Sequence, residues 1–310
     1  MKYRILDRRD WQGLVDRERY PSPFHEYDWQ LAIGRFYYSK PEMLHVTEGE
    51  CGWLFPLYKD LPWLDKQELK LGSIGYGGPL AIHEFSDPLE EIRKITEMLH
   101  RLAIQYKANR ISSSLYPSMI WKNKALASSI DIDNTVKISL TGDINKTFTN
   151  ILSGNVRTAI RKAESNKVKV TRITLSDHDA FNNAIDLLQA TQKQVNSTYI
   201  TDKQLLNALM SLDSNDIEPK LFIAELDGKI VSMAFAIHNQ YEFFHLFHGW
   251  DRSASGSAAN QALIWEMIKY AEQRKISLFN MGSSHTDSLL EAKLRYGGRV
   301  EPVPQLRVVA

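Results

Sequence analysis

Between Glu218 and Ser283 the chain spells out a strand order that few folds accept. Two apolar runs, Glu218–Leu226 and Lys229–His238, flank Asp227-Gly228. That pair favours a two-residue hairpin, because both turn positions need positive φ. A third run, Gln240–Trp250, is aromatic and strand-like; small residues then lead into an amphipathic helix, and Ile276–Ser283 reads as another strand. Three meandering strands followed by one strand–helix–strand crossover call for a single sheet that changes from antiparallel to parallel partway across.

The flanks extend the pattern. Val168–Thr174 has strand composition, and Ser176 and Asp177 offer caps for a helix over Asp179–Gln194. A short helix over Asp202–Leu212, a later one over Asp287–Gly298 and an extended Arg299–Val309 complete the order β-α-α-β-β-β-α-β-α-β. The first half repeats it loosely, with a hairpin turning at Glu48–Glu50 and a long helix opened by Pro88. The expected class is α/β (an α+β mixed sheet) built as two copies of one fold. The expected domains are 1–135 and 136–310, joined by one basic helix over Asp143–Lys167.

A chain of 310 residues accommodates two such domains. Its net charge of +1 supplies no general attraction for nucleic acid or membrane. Cys51 is the one cysteine, so no intramolecular disulfide and no cysteine zinc motif is possible. HExxH, GxSxG, GxxxxGK[ST] and GxGxxG are absent, as are a secretory h-region and an apolar run of membrane-spanning length. These readings set the expectation of a cytoplasmic protein with no metal and no integral membrane segment.

The segment Arg252–Ala258 stands where a strand hands over to a helix. A helix N-terminus leaves backbone N–H groups unpaired and carries partial positive charge, and small residues let an anion come close. Ser253-x-x-Gly256-x-Ala258 resembles the [Q/R]-x-x-G-x-[G/A] pyrophosphate pattern of GNAT acyltransferases, with Ser253 in the first place just after Arg252. Arg252, Ser253, Gly256, Ser257 and Ala258 are therefore the donor-phosphate candidates; the plain alternative is a turn filled with turn residues. In the preceding strand, period two sets His245 on the face of Phe243 and Phe247, and His248 on the opposite face with Phe244, Leu246 and Trp250. His248, near the strand's C-terminal end, is the candidate proton acceptor. For either histidine the alternative is a hydrogen-bonded structural role.

Asn280-Met281-Gly282-Ser283-Ser284, followed by Ala292-Lys293-Leu294-Arg295-Tyr296-Gly297, resembles the end of the FemAB-like acyltransferases. This GNAT-like group is related to the FemABX aminoacyltransferases, and its strand ends in Asp-Phe-Gly-Arg-Ser or similar. Asn280, Ser283 and Ala292 depart from the group's acid, arginine and aromatic, while Gly282, Lys293, Tyr296 and Gly297 align. The resemblance implies two tandem GNAT-like domains and transfer of an acyl or aminoacyl group to an amine or hydroxyl. It places Lys293 near the donor, its ammonium facing a phosphate or a developing oxyanion. It also implies an acyl-CoA donor, acetyl-CoA foremost, and an amino sugar or envelope precursor as acceptor. An aminoacyl-tRNA donor is the less favoured alternative. A non-catalytic binding protein of the same fold is the other, given Asn280 and Ser283. Arg157 and Arg161, four apart on one helix face, are substrate-gripping candidates together with Tyr76, Gly77 and Ser284. Tyr199 is a candidate acceptor contact or general acid. The sequence carries no signal of oligomeric state.

Overall fold

The computed structural model describes residues 1–17, 22–36, 39–59, 67–72, 74–84, 87–114, 131–197, 200–214, 217–284 and 286–309. The chain divides into two compact units, Met1–Thr135 with Glu301–Ala310, and Val136–Val300.

The first unit runs β1 (Lys2–Ile5), α1 (Arg8–Val15), α2 (Tyr27–Phe36), β2 (Glu42–Glu48), β3 (Cys51–Tyr58), β4 (Glu68–Leu71), β5 (Leu80–Ala81), α3 (Pro88–Gln105) and β6 (Arg110–Ser114). The expected β2–β3 hairpin forms, with Glu48 opposite Cys51. β1 to β4 pair antiparallel in order, β5 pairs with β3, and β4 pairs parallel with β6 across α3. α3 starts where it does because the Asp87 carboxylate accepts the Leu89 N–H and Pro88 fits the first turn. Its apolar face, with Ile95, Leu99 and Leu102, packs with Leu44, Phe55 and Ile111 of the sheet.

The second unit repeats this order. It comprises most of β7 (Asp131–Ser139), then α4 (Ile144–Lys146), α5 (Gly154–Ser165), β8 (Lys169–Ile173), α6 (His178–Gln194), α7 (Lys203–Met210), β9 (Glu218–Leu226), β10 (Lys229–His238), β11 (Glu242–Trp250), α8 (Ala259–Gln273), β12 (Leu278–Ser284) and α9 (Asp287–Leu294). The strand order is β7-β12-β11-β10-β9-β8. β8 to β11 are antiparallel neighbours, and β11 pairs parallel with β12 across α8. Asp227 (φ +50°) and Gly228 (φ +74°) make the tight β9–β10 turn that the dipeptide predicts. Phe243 and Phe279 stack 5.1 Å apart at the centre of the core. The closing strand β13 (Arg299–Val309) pairs antiparallel with β6, which puts Glu301 onward with the first unit.

The expected single basic helix over Asp143–Lys167 is instead broken. A π-helical turn spans Thr147–Ile151, Leu152 is extended, and Ser153 caps a fresh helix by accepting the Val156 N–H. The break has a packing reason. Gly297, at φ +79° just beyond α9, lies so close to Ile151 that an added methyl would sit 2.0 Å from its carbonyl oxygen, and the Ser153 N–H donates to Arg295. The Lys-x-x-Tyr-Gly motif thus seats α9 against this break, with Tyr296 buried in the core. Among the described residues, no helix is long and apolar enough to cross a membrane.

Candidate active site

Polar chemistry in the second unit gathers where β11 and β12 part. Their parallel register runs from Glu242–Leu278 to Phe244–Asn280. Gly282 then turns to φ +73°, its Cα packed against the His245 carbonyl, where a methyl would lie 2.6 Å from the oxygen. The turn directs two successive carbonyls, of Gly282 and Ser283, at one partner. Lys293 of α9 donates to both at 2.8 Å. Burial brings the Lys293 ammonium down from 10.5 to about 7. A lysine on the verge of neutrality suits acid–base or oxyanion chemistry. Gly282→Ala would strain the turn and clash with His245. It is expected to lower stability by about 2–4 kcal/mol, read as a fall in urea midpoint at unchanged m.

The two histidines meet, contrary to strict alternation. Phe235 pairs with Phe247 and the next residue, Ala236, with His245, so Leu246 is an extra residue in β11. This bulge resets the alternation and brings His245 and His248 to one side. The His248 Nδ1 lies 3.1 Å from the His245 Nε2, and His248 Nε2 lies 3.3 Å from the Asn260 Oδ1, which also accepts from the Ser232 hydroxyl at 2.7 Å. An amide oxygen facing Nε2 makes that nitrogen the donor. The His248 Nδ1 then accepts from the His245 Nε2–H, leaving the lone pair on the His245 Nδ1, which is buried and without a hydrogen-bond partner. Burial lowers both imidazoles, His248 to about 4, and the Lys293 charge adds to the effect on each. Both are neutral at pH 7.

Sequence reasoning missed Glu242 and Lys137, which stand behind this turn with Asn280. The Asn280 amide donates to Glu242 Oε1 at 2.9 Å and its oxygen accepts the Gly282 N–H at 2.9 Å. Glu242 in turn is paired with Lys137 of β7 at 3.0 Å. Asn280 stands where the FemAB-like pattern has an acid, and Glu242 supplies a carboxylate beside it from the neighbouring strand.

The expected donor loop is more closed than an open phosphate cradle. Arg252–Ser257 forms a 3₁₀ helix, Ala258 is left-handed at φ +62°, and α8 begins at Ala259. The Ser253 N–H donates to the Asp251 carboxylate at 2.8 Å and the Ala254 N–H to the Asp251 carbonyl at 3.1 Å. The Ser257 hydroxyl accepts the Ala259 N–H. A cavity of about 390 Å³ adjoins the loop, lined by Asn166, Leu226, Asp227, Ser253, Ala254, Gly256 and Ser257. Its size and small side chains fit a phosphate-bearing chain. Among the described lining residues there is one carboxylate and no cation, and the Ser253 and Ala254 amides are already used. Holding a pyrophosphate there requires the 3₁₀ turn to open. Arg252 is exposed beside it.

The remaining candidates fall apart in space or in role. Arg157 donates to the carbonyls of Thr149 and Leu152, and the Arg161 guanidinium lies 5.6 Å from the Phe148 ring, so both brace the π-helical turn. Ser284 ends β12 with its hydroxyl buried and unpartnered. Tyr76 and Gly77 belong to the first unit, where the Tyr76 ring meets Phe24 edge-on and Gly77 packs against Gly72. Tyr199 lies outside the described residues. Among the described residues, no group of three His, Cys, Asp or Glu side chains is placed to hold a metal ion.

Comparison with known proteins agrees with this architecture. Residues 152–287 match the family described as "Acetyltransferase (GNAT) domain". No curated protein sequence matches the chain. Among solved structures, FemX is similar with a TM-score of 0.69 at 12% identity, covering 100% of this chain and 98% of that one. A tandem GNAT protein from the clavulanic acid biosynthesis pathway scores 0.58 at 10% identity, covering 99% and 98%. The C-terminal domain of a putative lysylphosphatidylglycerol synthetase from Agrobacterium fabrum scores 0.55 at 11% identity, covering 96% and 90%. Such identities speak for the fold alone. The fold is that of two tandem GNAT-like units, as the resemblance to the FemAB-like acyltransferases implies, and the GNAT-domain match falls within the second.

Proposed function

We propose that this chain is an N-acyltransferase taking its acyl group from acyl-coenzyme A, acetyl-CoA foremost. The acceptor is an amino group of a sugar or cell-envelope precursor, by analogy of fold. The observation that carries the reading is Lys293, a half-buried amine near neutrality, fixed by two carbonyls beside an imidazole pair where the parallel strands part. As an ammonium, Lys293 has three N–H groups. Two go to Gly282 and Ser283, and the third is left for substrate.

The acceptor nitrogen attacks the thioester carbonyl directly, forming the C–N bond. The third Lys293 N–H stabilises the oxyanion, and His248 takes the proton that the nitrogen sheds at its Nδ1, once that atom lets go of the His245 Nε2–H. The carbonyl re-forms as the C–S bond breaks, and the imidazolium hands that same proton to the leaving thiolate, restoring the neutral pair. Attack is direct, so no covalent intermediate forms on Cys51. In this reading Ser253–Ala258 hold the donor's phosphates once their turn opens, with Arg252 alongside. Tyr199, Tyr76, Gly77 and Ser284 are acceptor-side candidates, Arg157 and Arg161 shape the helix beside the donor, and the location is cytoplasmic.

One observation favours a second reading, in which the donor is an aminoacyl-tRNA: the closed Ser253–Ala258 turn and Asp227 in its cavity disfavour a pyrophosphate. Thermal melting with acetyl-CoA and with charged tRNA separates the two. A ligand present at about 100 times its Kd stabilises by about 2.7 kcal/mol, so acetyl-CoA is expected to raise Tm. It should also be turned over with glucosamine or UDP-linked amino sugars, seen as release of free thiol. A shift with charged tRNA and none with acetyl-CoA would install the second reading. Tight binding of a sugar nucleotide without turnover of any donor would make the chain a binding protein.

A further inference from the structure

We infer that Glu242 and Asn280 are positioning residues for Lys293, and that with Lys137 they hold the Gly282 turn whose carbonyls aim the lysine at the substrate. The inference rests on the role given to Lys293 above, but its test does not need turnover.

The groups form one unbroken line. Lys137 Nζ lies 3.0 Å from Glu242 Oε1 and 3.1 Å from Oε2. Glu242 Oε1 accepts from the Asn280 amide at 2.9 Å, Asn280 Oδ1 accepts the Gly282 N–H at 2.9 Å, and the Gly282 and Ser283 carbonyls receive Lys293 at 2.8 Å. β7, β11, β12 and α9 each contribute one or more links. Lys137, Glu242 and Asn280 are 4%, 2% and 0% exposed.

A buried ion pair is weak support for a fold, since a well-packed apolar pair of similar volume is often as stable. What this pair does is geometric. It orients the one side chain, Asn280, that can donate to Glu242 and accept from Gly282 at once. An aspartate at 280 could accept the Gly282 N–H, but would set its carboxylate against Glu242. Asparagine at 280 and glutamate at 242 therefore belong together, and the acid of the FemAB-like pattern has moved one strand across. His245 and His248 of β11 are the titratable groups that feel the Lys293 charge, whereas Lys293 itself is lowered by burial; Glu242 is paired with Lys137.

The test is competitive labelling of lysines with trace acetic anhydride from pH 5 to 10, reading the Lys293 peptide by mass spectrometry. In the native chain Lys293 is expected to become half-reactive near pH 7. In Asn280→Ala and Glu242→Gln the turn relaxes, the ammonium regains water, and the midpoint is expected to rise by about one unit or more. With an acceptor in hand, kcat is expected to fall about tenfold or more while KM stays within about twofold. Lys137→Met/Glu242→Met removes both charges of the pair together and so is expected to keep the fold, yet releases Asn280 from Glu242; it should shift Lys293 the same way. A Lys293 midpoint unmoved in the folded double variant overturns the inference. Absence of turnover by the native chain would overturn the acyl-transfer reading instead, and the labelling midpoint would still decide the positioning.

Discussion

Lys293→Met is expected to lower kcat/KM by about a hundred- to a thousandfold, the usual loss when one oxyanion donor is removed. The native pH profile should name the protonation state that works. Two Lys293 N–H groups are committed to Gly282 and Ser283. A neutral amine would have no N–H left for substrate, so activity is expected to fall as pH rises through about 7. Lys293→Arg keeps its charge at every accessible pH and should lose that alkaline limb, even if its absolute rate is low. A rate that climbs through pH 7 in the native chain would make Lys293 a base and sink the oxyanion role. Stability moves independently. The folded pKa lies below the unfolded one, so between pH 7 and about 10 the unfolded chain holds a proton that the folded chain lacks, and native stability rises with pH. The rise amounts to about 4 kcal/mol by pH 10. Lys293→Met lacks it. The stability difference, native minus variant, should therefore grow from pH 7 to pH 10 in urea titrations.

The strand order was legible because its signals are local. Asp227-Gly228 needs no tertiary context to turn, and the crossover follows from the helix between Trp250 and Ile276. Lys293 was legible only through its motif; on periodicity alone a lysine late in a helix reads as a solvated charge. The histidine pair was not legible, because one inserted residue, Leu246, defeats the period-two rule and nothing in the local sequence announces the bulge. The Lys137–Glu242–Asn280 line joins residues more than a hundred positions apart. A signal was nonetheless there. Lys137 stands between Val136 and Ile138, and Glu242 opens an aromatic strand. Opposite charges set in central, apolar strands have to find one another. The 3₁₀ turn at Arg252–Ser257 was hidden for another reason. Its small residues fit an open cradle and a closed turn alike, and the choice was made by the carboxylate and carbonyl of Asp251.

Mild acid is expected to unfold the protein, and the second unit before the first. Burial holds His25, His238 and His248 at about 4, and drives His245 well below its ordinary value. In the unfolded chain each returns to about 6.5. The folded pKa is the lower one, so the stabilisation is complete above pH 6.5 and is lost as pH falls toward 4, where the unfolded chain takes up protons that the folded chain refuses. Each such histidine forfeits about 2 kcal/mol by pH 5 and about 3 kcal/mol by pH 4. His245 and His248 share a hydrogen bond, so their protons belong to the pair. The first unit holds His25 and His45, the latter half-buried and lowered by burial and by Arg4, and the second holds His238 and the more deeply buried pair. A loss of about 4 kcal/mol or more at pH 5 is a large part of the 5–15 kcal/mol typical of a domain. Urea unfolding followed by far-ultraviolet circular dichroism is therefore expected to give two transitions at pH 5, the lower one absent at pH 7.5. His238→Phe identifies that transition. The His238 ring stacks on Phe243 at 5.8 Å, a place an apolar ring fills, and its Nε2 meets the Tyr270 hydroxyl at 3.1 Å. The phenylalanine loses that hydrogen bond at every pH, but removes one acid-sensitive group. The gap between the transition at pH 7.5 and the weaker one at pH 5 should narrow by about 2 kcal/mol. An unchanged gap would mean that His238 titrates alike in the folded and unfolded chain.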